Sequence, residues 1–131
     1  MNISSLSVSL TVNNVKSSSD FLIKHFGFNE KIAAVGFASL IHETSGINVI
    51  FMQTGIEVLP EFLRNVPVAG TILAFVTTNL EAEEERLRSA GVTISLPLQT
   101  EEWGEKLFMV TDPNGVVIEL VEWVNQGEGN W

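Results

Sequence analysis

The stretch KLFMVTDPNGVVIELVEW, Lys106–Trp123, holds two β-prone runs around Asp112-Pro113-Asn114-Gly115, whose residue types suit a tight turn. It predicts strands over 106–111 and 116–123. In the second strand, alternation places Val117, Glu119, Val121 and Trp123 on one face. Glu119 thus stands among aliphatic neighbours, where partial desolvation raises a carboxyl pKa and suits it to proton transfer or to pairing with a cation. The competing reading is a structural carboxylate that reaches solvent or accepts from hydroxyl neighbours.

Upstream, Thr71–Val76 is a β-prone run, and Thr78-Asn79-Leu80-Glu81 has capping-box spacing. A helix is expected from there to Ala90, closed by Gly91, with a strand over Val92–Ser95. The run Glu81, Glu83, Glu84 and Glu85 reads as the solvated face and acidic first turns of that helix. The same order occurs earlier in the chain. Leu6–Val12 alternates as a half-buried strand, Asn13-Asn14 can cap a helix, and Gly27 follows the helix end. Strands are expected over Glu30–Val35, Phe37–His42 and Ile47–Gln53, with turns at Gly36 and at Thr44-Ser45-Gly46. Gly27 follows Val12 at the spacing with which Gly91 follows Val76, the mark of an internal repeat. The fold class expected is α+β, built of two β-α-β-β-β modules. Module one covers about 5–54, a connector with a short helical turn at Glu61–Arg64 covers 55–69, module two covers about 70–124, and 125–131 form a tail. All of 1–131 is read as one domain.

Composition narrows the function. With 45% apolar residues among 131, the chain can build a sizeable core without staples. The absence of cysteine removes disulfides, thiolate metal sites and cysteine nucleophiles, and fits a cytoplasmic protein. Neither a secretory leader nor a membrane span is expected from the apolar runs. A net charge of −9 repels nucleic acid and favours a cationic ligand, although acidity also simply keeps a protein dispersed. There is no glycine-rich phosphate loop and no nucleophile elbow.

Val12, Phe21 and Phe26-Gly27-Phe28, followed by Trp103-Gly104, Phe108, Asp112-Pro113-Asn114-Gly115 and Ile118-Glu119-Leu120, resemble the vicinal oxygen chelate superfamily. That group includes glyoxalases, extradiol dioxygenases, fosfomycin-resistance enzymes and bleomycin-resistance proteins. The resemblance implies curved sheets around a cavity, often completed by a second subunit. Metal-dependent members draw histidine and glutamate ligands from the first and last strand of each module. Carried over, those positions fall on Ser7 and Thr71, on Glu119, and on Ile50 or Phe51. Only Glu119 keeps a ligand type, and neutral hydroxyls bind zinc, nickel or iron(II) weakly. No metal and no cofactor are expected. His25, near a helix end, and His42, before a turn, read as structural.

The resemblance therefore points to a metal-free small-molecule-binding protein of the bleomycin-resistance kind, a homodimer without nucleic-acid or membrane partners. Ser7, Ser9, Thr71, Phe75, Trp103, Phe108, Glu119 and Val121 are the candidate ligand contacts. Trp103, within Thr100-Glu101-Glu102-Trp103-Gly104-Glu105, either covers a flat or cationic ligand or sits in an ordinary turn. Two alternatives stay open. One is a glyoxalase-like lyase or isomerase with Glu119 as catalytic base or with an atypical metal site; the other is a protein-contact scaffold that docks through Asn125–Trp131.

Overall fold

Alternating apolar residues and short polar ones in Ser7–Val12 form strand β1, with Leu10 and Val12 buried and Ser7 and Ser9 exposed. The structure, a computed structural model, describes residues 1–124. Helix α1 (Val15–Phe26) starts where the Asn14 side chain accepts the Ser17 amide at 3.0 Å. It stops at Gly27, whose φ of 72° is a left-handed conformation that glycine adopts without penalty. Strands β2 (Asn29–Ala34), β3 (Phe37–His42) and β4 (Ile47–Gln53) follow. The sheet order is β1-β4-β3-β2, parallel at β1–β4 and antiparallel elsewhere. After the short helix α2 (Glu61–Arg64), Val68 donates its amide to Thr11 O at 2.7 Å, so the connector covers part of the free edge of β1.

The topology repeats with β5 (Ile72–Val76), α3 (Leu80–Ser89), β6 (Thr93–Thr100), β7 (Glu105–Thr111) and β8 (Val117–Trp123). This sheet is ordered β5-β8-β7-β6, again with the first pair parallel. The two modules are two compact units that divide between Ala69 and Gly70; the tail expected over 125–131 lies outside the described residues. Each is an unclosed curved sheet with one helix-covered face, as expected of the α+β class. Among the described residues no helix is long and apolar enough to cross a membrane.

Period-two register assigns the faces. In the second sheet Leu73, Phe75, Phe108, Ile118 and Leu120 share the face that carries α3, with Leu80 and Leu87 of the helix fully buried. Ile72, Ala74, Val76, Leu107, Met109, Val117, Glu119, Val121 and Trp123 lie on the other face. In the first sheet Leu10, Val12, Ala38, Leu40, Val49 and Phe51 are buried on the helix side. Ser7, Ser9, Ser39, Asn48 and Ile50 occupy the opposite side.

Three local expectations are corrected. The capping box at Thr78 does not form. Asn79 is the N-cap, at a left-handed φ of 62°, and makes no side-chain capping bond. The carboxylate of Glu122, from β8, instead accepts the Asn79 amide at 3.0 Å and the Leu80 amide at 3.4 Å. A carboxylate delivered by the sheet meets the positive end of the helix, which a neutral threonine would serve less well. Glu122→Ala is accordingly expected to cost about 1–2 kcal/mol, read by urea unfolding, with Thr78→Ala close to neutral.

The strand expected over Val92–Ser95 runs on to Thr100. As an edge strand it tolerates Pro97, and two register shifts between Ile94 and Gln99 absorb it. The Leu98 amide beyond the proline is taken up by Glu84 Oε2 at 2.7 Å. Glu84 is therefore not a freely solvated member of its acidic run, although Glu81 and Glu85 are exposed.

Candidate functional site

Glu119 stands on the face of the second sheet that α3 leaves open, opposite Met109 on β7 and Ala74 on β5. It is half-buried, and Val117 and Val121 flank it along the strand. Burial is the larger cause that pushes its carboxyl above the usual range, and the negative charge of Glu105 adds to it. Glu105 is buried on the same face, paired in register with Trp123. Its Oε2 accepts the indole Nε1 of Trp103 at 2.9 Å. Trp103 as a residue remains 63% exposed, in a turn closed by the Gly104 amide on Glu101 O at 3.0 Å. The open face thus carries two carboxylates of unequal character, an indole plane, and an apolar bed in which Val121 packs with Leu107, Trp123, Leu96 and Met109. Such a face can hold an organic cation, with Glu119 as counter-charge and the indole as a flat contact.

Other predicted contacts separate by face. Phe75 and Phe108 alternate to the helix side of the sheet, away from Glu119, and Phe108 is completely buried. Both were expected to supply apolar contact area to the ligand; register puts them in the α3 core instead. Val121 shares the face of Glu119 but is itself fully buried, so it forms the floor rather than a free contact.

Thr71 precedes β5 and does not belong to it. Measured from the helix N-caps, Ser7 stands as far before Asn14 as Ile72 stands before Asn79, so Ile72 is the true counterpart of Ser7. The equal spacing of Val12–Gly27 and Val76–Gly91 misleads by one residue, because Val12 faces its helix and Val76 faces away. Register also settles the fourth position: Ser9 pairs with Ile50 as Ala74 pairs with Glu119, whereas Phe51 is a buried helix-side residue.

In the first sheet, Ser7 and Ser9 are exposed on the open face. Ser7 Oγ donates to Asn48 Oδ1, and Asn48 Nδ2 donates to Ser39 Oγ at 2.9 Å and to Leu40 O at 2.8 Å. This polar ladder across β1, β4 and β3 was missed from sequence, where Asn48 was not singled out within the Ile47–Gln53 strand. The Asn48 hydrogen-bonding groups have signal only once its cross-strand neighbours are known.

The four positions that the resemblance marks as ligand sites therefore fall, by register, on Ser7, Ile50, Ile72 and Glu119. One hydroxyl already engaged by an amide, two alkyl chains and one carboxylate do not fit a divalent transition metal. Among the described residues no group of three or more His, Asp or Glu side chains gathers into a metal site. His42 Nδ1 bonds Ser45 Oγ at 2.7 Å and its ring lies 5.3 Å from that of Phe28; His25 stacks edge-on to Phe21 at 5.0 Å. Both are structural contacts.

Comparison with known proteins agrees with the topology. An uncharacterized protein of Mycobacterium bovis is 30% identical over 120 residues, spanning 84% of this chain and 77% of the relative. Among solved structures, an integron cassette protein from the mobile metagenome of V. cholerae is 28% identical and superposes with a TM-score of 0.72, over 93% of this chain and 97% of that one. TioX from Micromonospora sp. ML1 is 25% identical with a TM-score of 0.69, over 92% and 98%. The family model described as Glyoxalase/Bleomycin resistance protein/Dioxygenase superfamily matches residues 5–120, both modules and the turn before Glu119 included, and this chain belongs to that superfamily.

Proposed function

We propose that this protein is a metal-free binder of a small organic cation, working as a cytoplasmic homodimer. The observation that carries the reading is the state of the Glu119 position: a half-buried carboxylate on an open apolar face, alone among the four family ligand positions in keeping a donor that suits a metal. Such a group recognises a cation by charge, and the indole of Trp103, held by Glu105 farther along the same face, offers a flat surface suited to quaternary nitrogen.

Benzyltrimethylammonium is a direct probe. Saturable binding is expected by titration calorimetry, weakened about ten- to a hundredfold by Glu119→Gln, the range for a lost charge-assisted contact. Binding should also weaken on acidification, beginning at a higher pH than an ordinary glutamate would give, because protonation removes the counter-charge and the carboxyl pKa is raised. Zinc, nickel, manganese and iron(II) should leave the melting temperature unchanged, since only an ion that binds the folded state raises it. A large saturable metal shift, lost in Glu119→Gln, would sink the metal-free reading.

The raised pKa has a consequence for stability. An acid whose folded pKa exceeds its unfolded value binds protons more tightly when folded, so its cost to stability is relieved as pH falls through the folded pKa. Glu119→Gln is expected to melt higher than the parent at neutral pH, and the difference should vanish below the unfolded pKa.

The same pKa favours a second reading, a glyoxalase-like lyase or isomerase in which Glu119 is a metal-independent base. There Glu119→Gln would abolish turnover of a carbonyl substrate while folding stays intact.

A further inference from the structure

The turn between β6 and β7 carries a hydrogen bond that closing the turn does not require. Its main chain is already held in three places: the Glu101 amide donates to Glu105 O at 2.8 Å, the Gly104 amide to Glu101 O at 3.0 Å, and the Val124 amide to Gly104 O at 2.9 Å. The additional bond comes from a side chain. Glu105 is only 8% exposed, and its Oε2 accepts the indole Nε1 of Trp103 at 2.9 Å.

Burying a carboxylate is costly. This one also adds to the effect of burial in pushing up the Glu119 carboxyl on the same face. Packing of Trp103 does not offset these costs, because the residue is 63% exposed and little of its apolar surface leaves water. What the bond fixes is the direction of the indole, which an exposed side chain otherwise shares among several rotamers. An N–H donated to a carboxylate also polarises the ring and leaves more negative charge on its faces. A cation placed there is attracted more strongly.

We infer that Glu105 is a positioning residue for cation recognition: it fixes and polarises the Trp103 indole, whose exposed side then takes a methylated ammonium at a point separate from Glu119. This role rests on the cation-binding reading of the same face. Methylated nitrogen suits the place better than a primary ammonium, whose strong hydration a ring open to water cannot replace. Buried Glu105 acts on the ligand only through Trp103.

A double-mutant cycle tests this, with benzyltrimethylammonium titrated by calorimetry into the full-length parent, Glu105→Gln, Trp103→Leu and the double variant. Mildly alkaline buffer keeps Glu119 ionised in all four. Glu105→Gln retains the shape and an acceptor oxygen but loses the charge, and should weaken binding about threefold or more, the scale of an exposed cation–π contact. In the Trp103→Leu background the same change should have little further effect. In ¹H–¹⁵N spectra the Trp103 indole N–H should move upfield in Glu105→Gln while backbone amides outside the turn stay in place, a signature that loss of fold would not give. Failure of the parent to bind would sink the cation reading and this role with it. With the parent binding, unchanged affinity in Glu105→Gln, an equal loss in the Trp103→Leu background, or an unmoved indole signal would overturn the role of Glu105 alone.

Discussion

Phe108→Ala is expected to lower the unfolding free energy by about 3–5 kcal/mol, the range for removing a fully enclosed ring and leaving a cavity. Phe108 has no exposed surface and lies at the centre of β7, opposite Leu120, on the sheet face that carries α3. A rigid sheet cannot collapse into the space the ring leaves, so little of the loss is recovered. Urea unfolding should show a lower midpoint with an unchanged slope, and Phe108→Leu should recover most of the loss. If Phe108 were instead a ligand contact on an open face, its truncation would cost well under 1 kcal/mol and would change binding; that result would refute the assignment of faces made from register.

Asp112→Ala should cost about 2–4 kcal/mol, because it strands two amides at once. Asp112 Oδ1 accepts from Asn114 N at 2.8 Å and from Val116 N at 2.9 Å, and the residue is itself buried. Its own amide bonds Val116 O at 2.9 Å, closing a turn in which Gly115 takes a φ of 85° that a side chain would disfavour. This turn sets the register of β7 against β8 and with it the face on which Glu119 emerges. Asp112→Asn keeps an acceptor oxygen and should cost less than half as much. Equal losses in the two variants would show that charge, not the paired acceptance, holds the turn.

Legibility followed the range of the interaction. Helix α1 was readable because its signals are local: an asparagine that reaches three residues ahead, and a glycine where the backbone turns left-handed. The start of α3 was not, because its capping carboxylate comes from Glu122, across more than forty residues of chain. No local pattern announces that donor, and a chance Thr-x-x-Glu spacing stood in for it. Likewise the expected strand stopped at Ser95, and nothing local shows that Pro97 beyond it sits on an edge where a missing amide is harmless or that Glu84 serves the amide after it.

The candidate site divides along the same line. Glu119, its face and its apolar flanks were determined by sequence alone, since strand alternation is a property of consecutive residues. Its neighbours were decided only by tertiary structure. Whether Thr71 or Ile72, Ile50 or Phe51, Phe75 or Ala74 stands beside a given position depends on pairing register, and a shift of one residue moves a side chain to the opposite face. The sequence by itself thus determined the repeated β-α-β-β-β order, the glycine turns and the one surviving carboxylate; the hydrogen bonds between strands, which join residues far apart in the chain, decided which side chains that carboxylate meets.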